Sequence, residues 1–497
     1  MRTKFLLFFM LSGSLVLFGQ CSRPDSDSDS DADSDEETGI AKEYTVKVNN
    51  EPLLVYPARV SALPINGCFT RPLEQTEIAS FASFDADGTV NVEIETNVKI
   101  KKLTIRPLSK NITPQVDGKK IRFQVKEPCQ LTVEINDHHE ALHLFANPIE
   151  ERKKNREDYT YYFGPGLHQA GIIELKDNES VYVEEGAVVE TLIKANGVKN
   201  ISIEGRGIID ASSFVRDIGQ NMVIRINECA DVYIEGVILR DSPEWTVTMF
   251  ETKNVLIENV KLVGMWRNSS DGIDICNSTN VTVNNSFVRT FDDCIVLKGK
   301  NTRKESNVSD VYVNNCVLWA DWGNGLQIGA ETVADSIHHC IFRNCDIVHF
   351  HLGALGVHAC DRAWIYDIHY ENIHVEEPFV DSYMDNCQNQ CRDISKVDRY
   401  FGIQKMSKDG LGRLLILALE ENGEYSTEKG RGKIFNIRYK NIQYHADYFT
   451  KSHFLGISRD HDVSDVVLEN IYIKGKKVTS ANEIIYSNEY VSGISVL

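Results

Sequence analysis

The chain has 497 residues, of which 42% are hydrophobic and 25% charged, and its formal net charge is −19. Such acidity argues against nucleic acid as a partner, because neutralising phosphates needs a surplus of Lys and Arg. Twelve cysteines are too few to scaffold a chain this long with disulfides.

The N-terminus reads as an export signal: Arg2 and Lys4, an apolar run from Phe5 through Phe18, then Cys21, with no later stretch long enough to span a bilayer. Cys21 resembles the acylated first residue of a mature bacterial lipoprotein, with a cleaved signal and an incidental cysteine as the alternative. From Asp25 to Glu37, aspartate alternates with serine and eight residues are acidic, a composition that buries no apolar surface and behaves as a solvated tether. The expectation is a signal peptide at 1–20, a tether at 21–40 and an outer-membrane surface lipoprotein, the alternatives being a secreted or periplasmic protein. The lipid would be its one attachment to a membrane, and the protein is expected to be a monomer.

From Tyr44 to Ala146, short alternating runs such as Tyr44–Val48, Thr89–Ile94 and Gln130–Ile135 are punctuated by Gly, Pro, Asp and Asn. They predict a small N-terminal β-sandwich over 41–150. Beyond it one motif recurs: polar, aliphatic, any, aliphatic, any, Asn or Gly, small or aliphatic, any, aliphatic. Nine copies begin at Asn200, Asp231, Asn254, Asn280, Asp310, His339, Asp367, Asn436 and Asp465. The steps are about 23 to 31 residues, a solenoid period, except for one long step that implies an insertion at about 376–432. Period-two alternation makes each copy a strand, and the Asn after it suits a left-handed bend and a side-chain ladder. No helical pattern intervenes, and neither a propeller nor a leucine-rich signature is present. The prediction is an all-β chain, with a right-handed parallel β-helix over 151–497.

Cys316 and Cys345 hold equivalent places in successive copies, where small buried side chains stack rather than bridge. Cys387 and Cys391, in the insertion, are the best disulfide candidates. No CxxC pair or His-rich cluster suggests zinc. No metal and no cofactor are expected.

The densest acidic signal lies on two adjacent coils: Asn268-Ser-Ser-Asp271-Gly-Ile-Asp274, then Asp292-Asp293-Cys-Ile-Val-Leu-Lys298. Asp271 precedes the pair by about one coil, and coils stack about 4.8 Å apart, so the three carboxyls converge on one groove. Crowded carboxyls push their pKa values apart, which supplies the acid and the base of a glycosidase at once. Solvated turn aspartates and a calcium site are the rival readings.

These segments, with Gly323-Asn-Gly-Leu-Gln-Ile-Gly329 and Ser242-Pro-Glu-Trp245-Thr246, resemble the polygalacturonase-type β-helix enzymes of glycoside hydrolase family 28 and its clan relative family 49, over about 160–475. The resemblance implies an inverting glycoside hydrolase acting on a polysaccharide, with Asp292 as general acid and Asp271 and Asp293 activating water. It places Lys298, Asn324, Gln327 and Trp245 along the groove, Trp245 being equally a packed core aromatic and Asp274 structural. The family has a His where this chain has Asn324, and an Arg-x-Lys carboxylate grip where it reads Ala354-Leu-Gly-Val-His358-Ala-Cys-Asp-Arg362. His358 or Arg362 could substitute for that grip. An extra residue in Asn-Ser-Ser-Asp could bulge the coil. The N-terminal β-domain resembles the dextranase and isopullulanase layout, which tilts the substrate toward a neutral α-glucan. A polygalacturonase, a polysaccharide lyase and a non-catalytic glycan-binding solenoid remain as alternatives.

Overall fold

A computed structural model describes residues 41–497 apart from 42, 63–72, 74–75, 153, 218, 301–306, 380–411, 421–424 and 426–427. The export segment, Cys21, the tether, Cys387 and Cys391 lie outside the described residues. Among the described residues no helix is long and apolar enough to cross a membrane.

Nine strands built on the nine sequence copies stack in parallel, from Lys199–Gly205 to Val463–Ile473. Their registers place Ile201, Val232, Val255, Val281, Val311, Cys340, Ile368, Ile437 and Val466 in one inward row. Each of these is at most 3% exposed, and burying one such aliphatic side chain stabilises by about 1.5–3 kcal/mol. The chain winds as a right-handed parallel β-helix with three strand faces per coil. Face A carries Ile273–Cys276, Ile295–Gly299, Leu326–Thr332 and Gly353–Ala359; face B carries the repeated motif; face C includes Lys261–Val263, Phe287–Thr290 and Val317–Ala320.

Bends are made by polar residues in the left-handed region. The first residue of every copy, from Asn200 to Asp465, has φ between 49° and 58°, and so do Asn259, Asn285, Asn315, Asn344, Asn372, Asn441 and Asn470. Short polar side chains tolerate this geometry because they hydrogen-bond locally. The Asn372 amide donates to Asn344 at 3.0 Å, Asn441 to Asn372 at 2.8 Å and Asn470 to Asn441 at 3.1 Å. Cys316 and Cys345 are buried, adjacent and unbridged, and their contact helps raise the Cys345 thiol pKa.

The long step between Asp367 and Asn436 is not all insertion. Strand Arg413–Leu419 pairs in parallel with Gly353–Ala359 and continues face A. Face A strands lie outside the repeated motif, so nothing in the sequence marked this seven-residue strand as part of a coil.

Upstream, two five-stranded sheets fill Tyr44–Asn147 and pack face to face over an apolar core. The second sheet lies on face C, where Phe81 and Phe145 meet Phe287, Val317 and Trp319. Polar ties run beside this contact. Arg106 pairs with Glu134 at 2.9 Å and with Glu376 at 2.5 Å, all three nearly fully buried, and with Glu377 at 2.6 Å. The sheets and the coils from Ile40 to Leu497 form one compact unit.

Candidate active site

Asp271, Asp292, Asp293 and Asn324 all lie in the turns that lead from face C into face A, one coil after another. Gly323 lets the turns approach: a Cβ there would lie 2.4 Å from the Asp292 carbonyl carbon. The extra residue in Asn268-Ser-Ser-Asp271 is absorbed in the turn, where Ser269 takes φ 56° and the Ser270 hydroxyl donates to the Arg267 carbonyl at 2.6 Å. The ladder of Ile273–Cys276 keeps its register on both sides, so the carboxyl of Asp271 stays aligned with the next coil.

Lys298 organises the cluster. Its Nζ donates to Asp271 Oδ2 at 2.8 Å and lies 3.1 Å from Asp274 Oδ1 and 3.9 Å from Glu331. Burial alone would depress the ammonium, but Asp271, Asp274 and Glu331 together hold its pKa well above the usual value. Asp274 is fully buried, and burial raises its pKa despite Lys298. Glu331 arrives through an irregularity opposite Lys298, where the register jumps from Leu297–Ile328 to Gly299–Thr332. Burial opposes the charge of Glu331, yet Lys298 and Lys300 hold its pKa down at about 2.

The remaining carboxyls differ in environment. Asp292 is partly exposed, and its Oδ1 accepts from the Asp293 amide at 3.1 Å. Its burial among protein groups, with Asp271 and Asp293 close by, pushes its pKa well above the carboxylate range. Asp293 Oδ1 accepts from the Asn324 backbone N–H at 2.9 Å and from Asn324 Nδ2 at 2.7 Å. Burial and the charge of Asp271 raise Asp293 to about 6, with the two Asn324 bonds holding it lower than it would otherwise be. Asp271 Oδ1 is buried without a protein hydrogen bond.

The residues expected along the groove separate into those at the cluster and those away from it. Trp245 is half-buried and not a core aromatic: the Lys298 and Lys300 ammonium groups lie 3.8 and 4.8 Å from its ring centroid. A cation over an aromatic face is electrostatically favourable, so the indole braces the lysines. Gln327 stands opposite Val296 and Gly356 in one row along face A, and Asp274 is opposite Val296 on the other side. His358 lies two residues beyond Gly356; burial lowers its pKa, so the ring is neutral near pH 7. Arg362 is not brought to the cluster. It sits past the end of its strand, bound to Glu428 at 2.6 Å and Asp335 at 3.3 Å.

Sequence reading missed Glu331 and Lys300, because the ladder irregularity that presents Glu331 has no motif. It also missed Glu244, which is 4% exposed and electrostatically coupled to Asp271, and Arg216, whose Nη2 lies 3.3 Å from Ser269 Oγ. The flanking Ser242-Pro-Glu-Trp245 segment was the available signal for Glu244. Among the described residues no group of three or more His, Cys, Asp or Glu is arranged to hold a metal ion.

Comparison with known proteins agrees with this geometry. Residues 159–379 match the family model described as glycosyl hydrolases family 28. Probable exopolygalacturonase B of Emericella nidulans is 28% identical over 173 residues, covering 31% of this chain and 36% of that protein. Its namesake in Aspergillus flavus is 25% identical over 224 residues, covering 38% and 48%. The chain thus spans about a third to a half of the length of these curated relatives. Among solved structures, Dex49A from Penicillium minioluteum superposes with a TM-score of 0.56 at 15% identity, covering 92% of this chain and 94% of that one, which is a likeness of fold. The family match and the stacked coils agree, and over residues 159–379 the chain is similar to the glycosyl hydrolases of family 28.

Proposed function

We propose that the protein is an inverting glycoside hydrolase that cleaves a polysaccharide, with Asp292 as general acid and Asp271 and Asp293 as the pair that activates water. The observation that carries this reading is the contrast among three neighbouring carboxyls. Asp292 faces two other carboxyls, which with its burial raise its pKa and favour its protonated form, whereas Asp271 is ion-paired to Lys298. Inversion needs one protonated carboxyl and one ionised carboxylate around a water. Asp292 gives its proton to the glycosidic oxygen as the bond to the anomeric carbon breaks. Water attacks that carbon from the opposite side and passes its proton to the Asp271–Asp293 pair. Asp271 Oδ1 is the acceptor without a protein donor.

Lys298 also weighs against a calcium-binding or lyase reading. Its ammonium already supplies the cation among the carboxylates, and its raised pKa makes it a poor base.

For the substrate, a neutral α-glucan is favoured. A grip on a carboxylate needs a cation at the groove. Gly356 offers no side chain, His358 is neutral, Lys300 is bound to Glu331 at 2.5 Å and Arg362 is bound to two acids. A galacturonan is the second reading, favoured by the names of the sequence relatives, which are exopolygalacturonases. The test is release of reducing sugar from dextran, pullulan and polygalacturonate in parallel, with Asp292→Asn as control. Release from dextran or pullulan alone supports the neutral glucan; release from polygalacturonate alone replaces it with the second reading.

The same proposal includes export, acylation at Cys21 and display of a monomer at the outer-membrane surface, supported by the basic, apolar and acidic order of the first 37 residues. Loss of labelled fatty acid from Cys21→Ser, with the wild type labelled, is the expected result; equal labelling would refute it.

A further inference from the structure

Lys298 and Lys300 stand two residues apart where strand Ile295–Gly299 ends, and both ammonium groups reach the Trp245 ring. They differ in what surrounds them. The Lys298 side chain is 5% exposed and already holds Asp271 at 2.8 Å and Asp274 at 3.1 Å. The Lys300 side chain is 33% exposed, so it is the cation of this cluster that solvent reaches, and the acid against it is Glu331 at 2.5 Å.

That acid is put there by a break in the ladder. Opposite strand Ile295–Gly299 the pairing runs from Leu297–Ile328 directly to Gly299–Thr332, which leaves Gly329, Ala330 and Glu331 bulged opposite Lys298. Gly329 makes the detour possible: its φ is 94°, and a Cβ there would collide with the His358 carbonyl oxygen. Just past Glu331, the Thr332 amide donates to Asp361 Oδ2 at 3.1 Å and the Asp361 amide donates to Thr332 Oγ1 at 2.8 Å, which fastens the bulge to the next coil. The second oxygen of Glu331 is 3.9 Å from Lys298, so one carboxylate bridges the two lysines.

The consequence is electrostatic. A sugar carboxylate approaching Lys300 has to displace a carboxylate already in place, and it brings a further negative charge beside Glu331 and Asp271. Like charge set against an unwanted partner is a common source of specificity. A neutral sugar meets no such opposition. We infer that Glu331 is a specificity-determining residue: by occupying Lys300 and bridging to Lys298 it turns uronate-bearing polymers away and leaves the groove to neutral sugars. This rests on the neutral-glucan reading above and goes beyond it by naming the residue whose removal admits the anion.

The test is calorimetric binding to the full chain carrying Asp292→Asn, with and without Glu331→Gln. The probes are trigalacturonate and a neutral trisaccharide, isomaltotriose or maltotriose according to whether dextran or pullulan is cleaved. Freeing Lys300 should tighten trigalacturonate by about 10-fold or more, as a charge-assisted contact becomes available. It should move the neutral trisaccharide by less than about 3-fold. Added salt should erode the gain, and a further Lys300→Met should abolish it. Glu331→Ala removes the same charge with less bulk, should give the same gain, and carries the test if the Gln variant does not fold. Trigalacturonate bound no better by a folded variant, an equal gain for both sugars, or a gain that survives Lys300→Met overturns the inference. The readings beneath it fail separately: the hydrolase reading if the wild type releases sugar from no polymer, the neutral-glucan reading if it prefers polygalacturonate.

Discussion

Lys298 Nζ lies 2.8 Å from Asp271 Oδ2, and both side chains are at most 5% exposed. A buried ion pair of this kind is costly to break from one side, because the remaining charge has no counter-ion. Lys298→Met should therefore destabilise the fold by about 3 kcal/mol or more. It should also lower kcat, by about 100-fold or more, because Asp271 loses the ammonium that holds its carboxylate in place. Thermal denaturation and steady-state kinetics check the two effects, and wild-type turnover in a folded variant would remove Lys298 from the mechanism.

Asp292→Asn keeps the shape of the acid and removes its proton. kcat should fall by about 10²–10⁴-fold, the usual contribution of a general acid. Binding of an uncleaved oligosaccharide, measured by calorimetry, should be retained. Loss of binding with turnover kept in proportion would assign Asp292 to substrate contact.

The pH profile should be bell-shaped. Asp293, with a pKa of about 6, must lose its proton to help activate water, so activity rises as pH climbs through that region. It falls at higher pH as Asp292 loses the proton it must donate. Asn324→Ala deletes the Nδ2 hydrogen bond to the ionised form of Asp293 and leaves the one from the backbone N–H, which raises the Asp293 pKa. The acidic limb of kcat should then move to higher pH, while an unchanged limb would mean that Asp293 does not control it.

Gly356→Ala would place a Cβ 2.1 Å from Gln327 Oε1. The obstructed atom is the tip of a flexible side chain, so the fold survives while the buried Gln327 swings from its place in the face A row. KM should rise with little change in melting temperature. An unaltered KM would show that Gln327 makes no use of that position.

Arg106→Met tests the seam between the sandwich and the coils. It takes the guanidinium from two nearly fully buried acids, leaving Glu134 the His349 ring and Glu376 the Leu108 N–H, and should cost about 3–5 kcal/mol. The folded fraction should keep its kcat, because Arg106 lies at face C and away from the carboxyl groove.

Much of this architecture was legible because it is periodic. The nine motif copies became nine stacked strands, and the Asn after the later strands became an amide ladder, since both follow from local residue preferences repeated at one spacing. Asp271, Asp292 and Asp293 were legible because one coil of sequence separates them. Arg413–Leu419 was not, since one strand without its following Asn has no repeat to declare it. Glu331 and Arg216 were hidden for a different reason: each reaches the groove through a departure from regular coiling, a ladder irregularity in one case and an outsized turn in the other. Arg362 was one of two candidates, with His358, to replace a missing carboxylate grip, whereas Asp335 and Glu428 claim it.

Ile368 and Ile437 are separated by the longest step in the repeat, yet they face each other in the ladder as directly as Ile437 and Val466 do. Chain length between coils is thus decoupled from alignment within them. Residues can be added to or removed from a bend while the neighbouring rungs remain where they were. The scaffold can accordingly accept a new rim around an old reaction centre without re-engineering the stack beneath it.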